Sequence, residues 1–193
     1  EDASGVNLSQ FRLWYSQSGT PTLSVESHYD AAKKQYRLTV RQVTPPTHEQ
    51  TEKQALHIPL DIELYTASGD VIELQCNGKP VHNVLDVKEA EQTFVFDNVS
   101  EQPIPSLLRE FSAPVKLEYD YSDEELIFLM VNARNEFSRW DAGQMLLAKY
   151  ILSNVEKVQQ GQAFELSDSV VDAFRGVLLS DSLEPAFIAE MLS

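Results

Sequence analysis

Four kinds of side chain in this 193-residue chain bear on chemistry: four histidines, one cysteine, a run of acids and one dense polar-aromatic stretch. A hydrolytic zinc site on a helix needs two imidazoles one turn apart, as in the H-E-x-x-H motif, so that both face one metal. The closest approach is His48-Glu49-Gln50-Thr51-Glu52, which ends in Glu and lies beside Pro45 and Pro46 in a polar stretch. It reads as a solvated loop. His28, His57 and His82 are isolated from one another and read as surface or rim residues. Cys76, beside a turn and without a sequence neighbour to activate it, reads as a structural thiol and not a nucleophile. Asp123-Glu124-Glu125 reads as a helix first turn, where negative charge complements the dipole. The stretch 134–141 is the densest polar-aromatic cluster and has two readings: a binding surface, or, as the plainer expectation, Arg134, Arg139 and Asp141 pairing with neighbouring elements while Phe137 and Trp140 enter the core. With only seven glycines, neither a phosphate loop nor a G-x-S-x-G nucleophile turn is present. Residue by residue, no catalytic, cofactor-binding or metal-ligating position is assigned.

Composition narrows the classes further. Thirty acidic against fifteen basic residues, a formal charge of −15, oppose binding to nucleic-acid backbones. The longest apolar run, Leu126 to Val131, is far short of the roughly 18 residues of a membrane span. A single cysteine excludes an internal disulfide and sits most easily in a reducing compartment; a cytoplasmic location is expected. The ends, Glu1-Asp2-Ala3-Ser4 without Met and a helix-like stretch running to Ser193, read as those of a segment of a longer chain.

The elements that would position these residues change period twice. Asn7, with Gln10 three residues on, reads as the cap of a first helix carrying Leu8, Phe11, Trp14 and Tyr15, an aromatic face expected to pack on something outside this chain. Residues 22–121 alternate as strands do: Leu23 and Val25; Tyr36, Leu38 and Val40; Leu56, Ile58, Leu60, Ile62 and Leu64, with His57, Asp61, Glu63 and Tyr65 on the outward face; Val71 to Leu74; Phe94 and Phe96; Val115, Leu117 and Tyr119. Asn77-Gly78 is a turn signal, and Pro103 and Pro105 read as breaks. Roughly seven short strands predict an immunoglobulin-like β-sandwich, without the Cys…Trp…Cys pattern of antibody domains. From 122 the period is helical. Ser122 and Glu125 form a capping box ahead of a helix through Leu126, Leu129, Met130, Ala133, Phe137 and Trp140, with a second around Leu146 to Ile151. Gly161 interrupts, and Ser167 and Ser182 read as caps of a third and a fourth helix, the latter with Pro185 in its first turn. Strands followed by helices without alternation predict two separate units.

Several stretches resemble the zinc aminopeptidase family. Trp14, Gln17, Gly19 and Pro21 match a W-x-x-Q-x-G-x-P pattern found where the family's thermolysin-like domain meets its β-domain. Residues 52–59 (EKQALHIP), 90–99 (AEQTFVFDNV), 111–119 (FSAPVKLEY) and, most specifically, 133–142 (ARNEFSRWDA) look like the Gram-negative alanyl aminopeptidase (aminopeptidase N) branch. The resemblance implies that 1–21 is the terminal helix of an upstream catalytic domain, 22–121 the immunoglobulin-like domain and 122–193 the first helices of a C-terminal helical domain. It also implies that the family's zinc ligands and catalytic residues lie upstream of residue 1. The function expected is that of a non-catalytic interdomain segment of an enzyme that removes N-terminal residues from peptides. Its partners would be that enzyme's own domains, in a monomer, with zinc as the parent's cofactor and none here. The alternative is an independent immunoglobulin-like binding module.

Overall fold

The structure, a computed structural model, describes Gly5, residues 7–181 and residues 183–192. Two compact units divide between Asp120 and Tyr121.

The described residues of the first unit form ten strands, most of them around one core. β1 (Thr22–Asp30) and β2 (Gln35–Val43) form a nine-residue antiparallel hairpin, with β8 (Glu91–Phe96) beside β2 and β10 (Lys116–Glu118) parallel to β1. The second sheet centres on β3 (Ile58–Tyr65), flanked by β4 (Val71–Ile72) and β9 (Ile104–Leu107) along its C-terminal half and by β7 (Val84–Val87) along its N-terminal half. β5 (Gln75–Cys76) and β6 (Lys79–Pro80) make a small separate hairpin. Leu23, Val25, Tyr36, Leu38 and Val40 of the first sheet share one buried cluster with Ile58, Leu60, Ile62, Leu64, Leu85, Val87 and Leu107 of the second. Alternation put every one of the β1 to β3 residues on the inner face, which is why two sheets with one apolar face each close on one another.

Several expectations are corrected here. The strands number ten among the described residues, because two-residue pieces and β7 carry too little alternation to be read. Pro105 does not break the chain: it lies inside β9 opposite Leu64, on a strand hydrogen-bonded to β3, a position that tolerates a missing N–H. The outward face of β3 is not solvated at its end, since Glu63 and Tyr65 are buried. The first helix is not an α-helix but a five-residue 3-10 helix, Phe11–Tyr15. Gln10 does not cap it; its amide donates to Ala55 O and Lys88 O at 3.0 and 2.7 Å, and Asn7 Oδ1 accepts instead from Ser9 N–H. Nor does it face away from this chain. Leu13 and Trp14 pack on the sandwich core, and the Trp14 indole donates to His57 O at 2.9 Å; Tyr15 is the exposed member. Gly19 then holds a φ of +97° with Thr44 Cγ2 3.1 Å from where a Cβ would stand, which accounts for glycine at that point of the motif.

The described residues of the second unit form four helices: α1 (Asp123–Asn132), α2 (Glu136–Gln159), α3 (Asp168–Leu178) and α4 (Pro185–Met191). The capping box is formed as expected: Ser122 Oγ accepts from Glu125 N–H at 3.1 Å, and Glu125 accepts from Ser122 N–H at 2.9 Å. The helix does not run on to Trp140. It stops at Asn132, and Asn135 starts α2 by accepting from Ser138 N–H at 2.9 Å, so one 24-residue helix takes in both Phe137 and Trp140, expected on the first helix, and the stretch Leu146 to Ile151, expected on a second. A helical period cannot show a three-residue break that keeps nearly the same face. Ser167 stands at the N-cap of α3 but bonds Ser169 Oγ, not a helix amide. Ser182 lies outside the described residues; the N-cap residue of α4 is Glu184, with Pro185 at the first turn. Leu126, Leu129, Met130, Ala133, Ala142, Leu146, Val170, Ala173, Val177 and Met191 are buried.

Candidate functional site

His28, His48 and His82 are exposed, the first on β1 and the others in loops. The His48 loop is more ordered in its bonding than a free loop: Thr47 and Gln50 pair as an isolated bridge, and Lys53 donates to Ser18 O at 2.7 Å and to Gln50 Oε1 at 3.0 Å. His57 precedes β3 and is half-buried; its Nε2 is 2.6 Å from Asp86 Oδ1, and Phe11 meets its ring edge-on at 6.0 Å. That hydrogen bond holds the Asp86 carboxyl below its ordinary range. Cys76, half-exposed, receives a 3.5 Å contact from Asn77 Nδ2. Among the described residues no group of three or more His, Cys, Asp or Glu is placed to hold a metal ion. The zinc implied by the family resemblance therefore has no fitting donor set in these residues, and no chemical step is derived through it.

Two polar constellations were not legible in the sequence. In the first unit Arg109 reaches two acids of β3: Nη1 lies 3.1 Å from Asp61 Oδ1 and Nη2 3.3 Å from Glu63 Oε1, while Tyr65 Oη donates to Glu63 Oε2 at 2.5 Å. Burial pushes the Asp61 carboxyl up, and Arg109 pulls it partly back. Arg109 Nε is buried without a partner. The residues around it are held in the left-handed region, Leu108 at φ 55°, Glu110 at 53° and Phe111 at 50°. Ser112 Oγ adds an acceptor for Asp61 N–H at 3.0 Å. Such backbone is costly for residues with a Cβ, so this ion pair works as the anchor of a strained loop.

In the second unit Asp123, Lys149, Tyr150, Ser153, Asn154, Lys157 and the 164–167 loop line a cavity of about 590 Å³. Lys149, Ser153 and Lys157 recur every four residues along α2 and so share one face. Asp123 bonds Lys149 Nζ at 2.6 Å and Tyr150 Oη at 2.8 Å, so its carboxyl serves this pocket besides the helix dipole; Lys149 first, then Tyr150, holds it below its ordinary range. Buried Asn154 clamps the far wall: its amide donates to Tyr150 O and Glu165 O at 2.9 and 2.7 Å, and its oxygen accepts from Glu165 N–H at 2.7 Å. Lys157 bonds Glu165 at 2.5 Å. Each lysine already meets a carboxylate, and the Tyr150 hydroxyl is held by Asp123. The arrangement can hold small polar groups through hydrogen bonds.

The 134–141 stretch is structural in part. Arg139 donates to Met130 O and Val131 O at 3.0 and 2.8 Å, satisfying the open carbonyls at the end of α1. Phe137 and Trp140 do not enter the core; both are half-buried and meet each other at 5.9 Å. Asp141 is half-buried, and burial pushes its carboxyl up. No helix among the described residues is long and apolar enough to cross a membrane.

Comparison with known proteins agrees with this division. Residues 19–120 match the family described as domain of unknown function DUF3458, Ig-like fold, and residues 123–193 its C-terminal companion, described as ARM repeats. Aminopeptidase N of Escherichia coli is 60% identical over 193 residues, all of this chain and 22% of its own length. Aminopeptidase N of Haemophilus influenzae is 51% identical over 92% of the chain and 20% of its own length, and that of Caulobacter vibrioides 37% over 100% and 21%. The chain thus spans about a fifth of the length of these relatives. A crystal structure of Legionella pneumophila aminopeptidase A in complex with aspartic acid superposes with a TM-score of 0.82 at 31% identity, over all of this chain and 20% of that one. An Ig-like sandwich followed by ARM-type helices, matched to aminopeptidase N in sequence from end to end, places the chain in the DUF3458 family as the counterpart of an aminopeptidase N segment.

Proposed function

We propose that this chain is the non-catalytic connector of a zinc-dependent aminopeptidase that removes N-terminal residues from peptides, and that its sandwich holds the helical region in register with a catalytic domain. The observation that carries this reading is the 60% identity to aminopeptidase N along the whole chain, which matches 22% of that relative's length. The brevity of the link supports the same view: Tyr119 to Ser122 are all that separates β10 from α1, and Ser122 is already a cap. In this reading the partners are the parent's own domains, zinc belongs to the parent, the parent acts as a monomer, and the single cysteine fits a cytoplasmic enzyme.

The test is a Gly-Ser insertion after Tyr121 in the full-length protein. Peptide turnover should fall while bound zinc stays at the wild-type level. Unchanged peptide kinetics would make the sandwich a passenger and end the connector reading.

A further inference from the structure

The β5–β6 hairpin carries the chain's one Asn-Gly step, Asn77-Gly78. Every other asparagine is followed by Leu, Val, Ala or Glu, whose side chains crowd attack by the next backbone nitrogen. Asn77 and Gly78 are exposed and left-handed, with φ of 52° and 70°, as a two-residue hairpin turn of the primed type requires. A Cβ added at Gly78 would meet nothing within 4 Å, so no neighbouring group shields the turn. The Asn77 carboxamide has only a soft restraint from its 3.5 Å contact to Cys76 Sγ. Most telling is the other side of the turn. Gly78 N–H donates to Asp97 Oδ2 at 3.4 Å, and Gln35 Nε2 fixes the second oxygen of Asp97 at 3.0 Å. An oriented carboxylate faces the one N–H whose nitrogen would be the nucleophile.

We propose that Asn77-Gly78 is a self-modifying site at which Asp97 accepts the Gly78 amide proton while that nitrogen attacks Asn77 Cγ. The N–Cγ bond forms as the carboxamide π electrons move to Oδ1. Collapse breaks the Cγ–Nδ2 bond, and ammonia leaves with the proton returned by Asp97. Water then opens the succinimide at either carbonyl, giving aspartate or isoaspartate, with no change of oxidation state. The product carries one more negative charge. Where isoaspartate forms, an extra backbone atom enters the turn and the pairing of Gln75 with Pro80 and Cys76 with Lys79 is lost. Besides the long Gly78 contact to Asp97, two shorter ties hold the hairpin to the residues just after β8, and both lie on Gln75, before the altered link: Asp97 N–H to Gln75 O at 2.8 Å and Asn98 Nδ2 to Gln75 Oε1 at 2.7 Å. The sandwich therefore persists while the hairpin tip changes charge and shape.

The experiment ages the full-length protein at mildly alkaline pH. Each asparagine-bearing peptide is then followed by mass spectrometry, with isoaspartate measured by enzymatic methylation. Among the asparagines of residues 1–193 the peptide containing Asn77 should convert first and yield isoaspartate, and Asp97→Asn should slow it about tenfold, modest for a general base because the contact is long. Asp97→Ser is made in parallel, and the variant scored is one that keeps the hydrogen-exchange protection of β2 and β8. In denaturant the difference between variant and wild type should vanish. Earlier conversion of another asparagine of residues 1–193, or a wild-type rate in a folded Asp97 variant, overturns the proposal.

Discussion

Replacing Arg109 by Met tests whether the buried ion cluster holds the loop after β9. Leu108, Glu110 and Phe111 are left-handed, at about 1 kcal/mol or more each, so the loop stores roughly 3 kcal/mol. Burial of Leu108 offsets about 2 kcal/mol of this, and the Arg109 contacts supply the rest. Removing the guanidinium leaves two carboxylates of β3 facing each other. Breaking a wholly buried pair costs about 3–5 kcal/mol; the Asp61 side chain is 19% exposed and that of Glu63 8%, so water screens one partner and the lower end, about 3 kcal/mol, applies. The loss should depend on pH in a particular sense. Burial already raises Asp61 above its unfolded value, and without Arg109 it rises further. A carboxyl with a raised folded pKa destabilises as pH climbs through that value, so the defect should be full above the folded value and shrink as pH falls toward the unfolded value of about 4. Hydrogen exchange of β3 and of residues 108–112 in the full-length protein reads the effect locally. Adding Glu63→Gln to Arg109→Met should recover a large part of it, since one buried charge is then gone. Unchanged exchange at neutral pH, or a defect that deepens on acidification, would refute the anchor argument.

Ser122→Ala should cost about 1 kcal/mol, seen as faster exchange in the first turn of α1, because Glu125 N–H loses its acceptor. Asn154→Ala should cost about 2 kcal/mol and speed proteolysis between Gln160 and Phe164, since it orphans Glu165 N–H and two carbonyls in a buried place. Asp123 has a folded pKa below its unfolded value, so its contribution is present above about pH 4 and is lost as pH falls through the folded value. Acidification should therefore loosen the contact of α1 with Lys149 and Tyr150, read by exchange, and Asp123→Asn should abolish that pH dependence.

What the sequence determined by itself follows from short-range rules. Period two on β1 to β3 fixed which residues form the sandwich core, because a pleated strand sends alternate side chains to one face. Ser122 and Glu125 marked the start of α1 because a cap is made within four residues. The absence of a zinc motif was equally local. The tertiary structure alone decided what distant residues do to one another. Nothing around Gln10 or Trp14 indicates that they bind carbonyls of Ala55, Lys88 and His57. Nothing at Arg109 indicates that it bonds acids more than forty residues earlier on β3. Glu63 and Tyr65 alternate like solvent-facing residues and are buried, because a segment far along the chain folds across them. The break between α1 and α2 escaped for a related reason: hydrophobic period reports which face is apolar, whereas the end of α1 is set by Asn135 capping the next helix and Arg139 reaching back to Met130 and Val131 carbonyls. Period is a property of neighbours, and burial of a polar group depends on a partner that only the folded chain brings near.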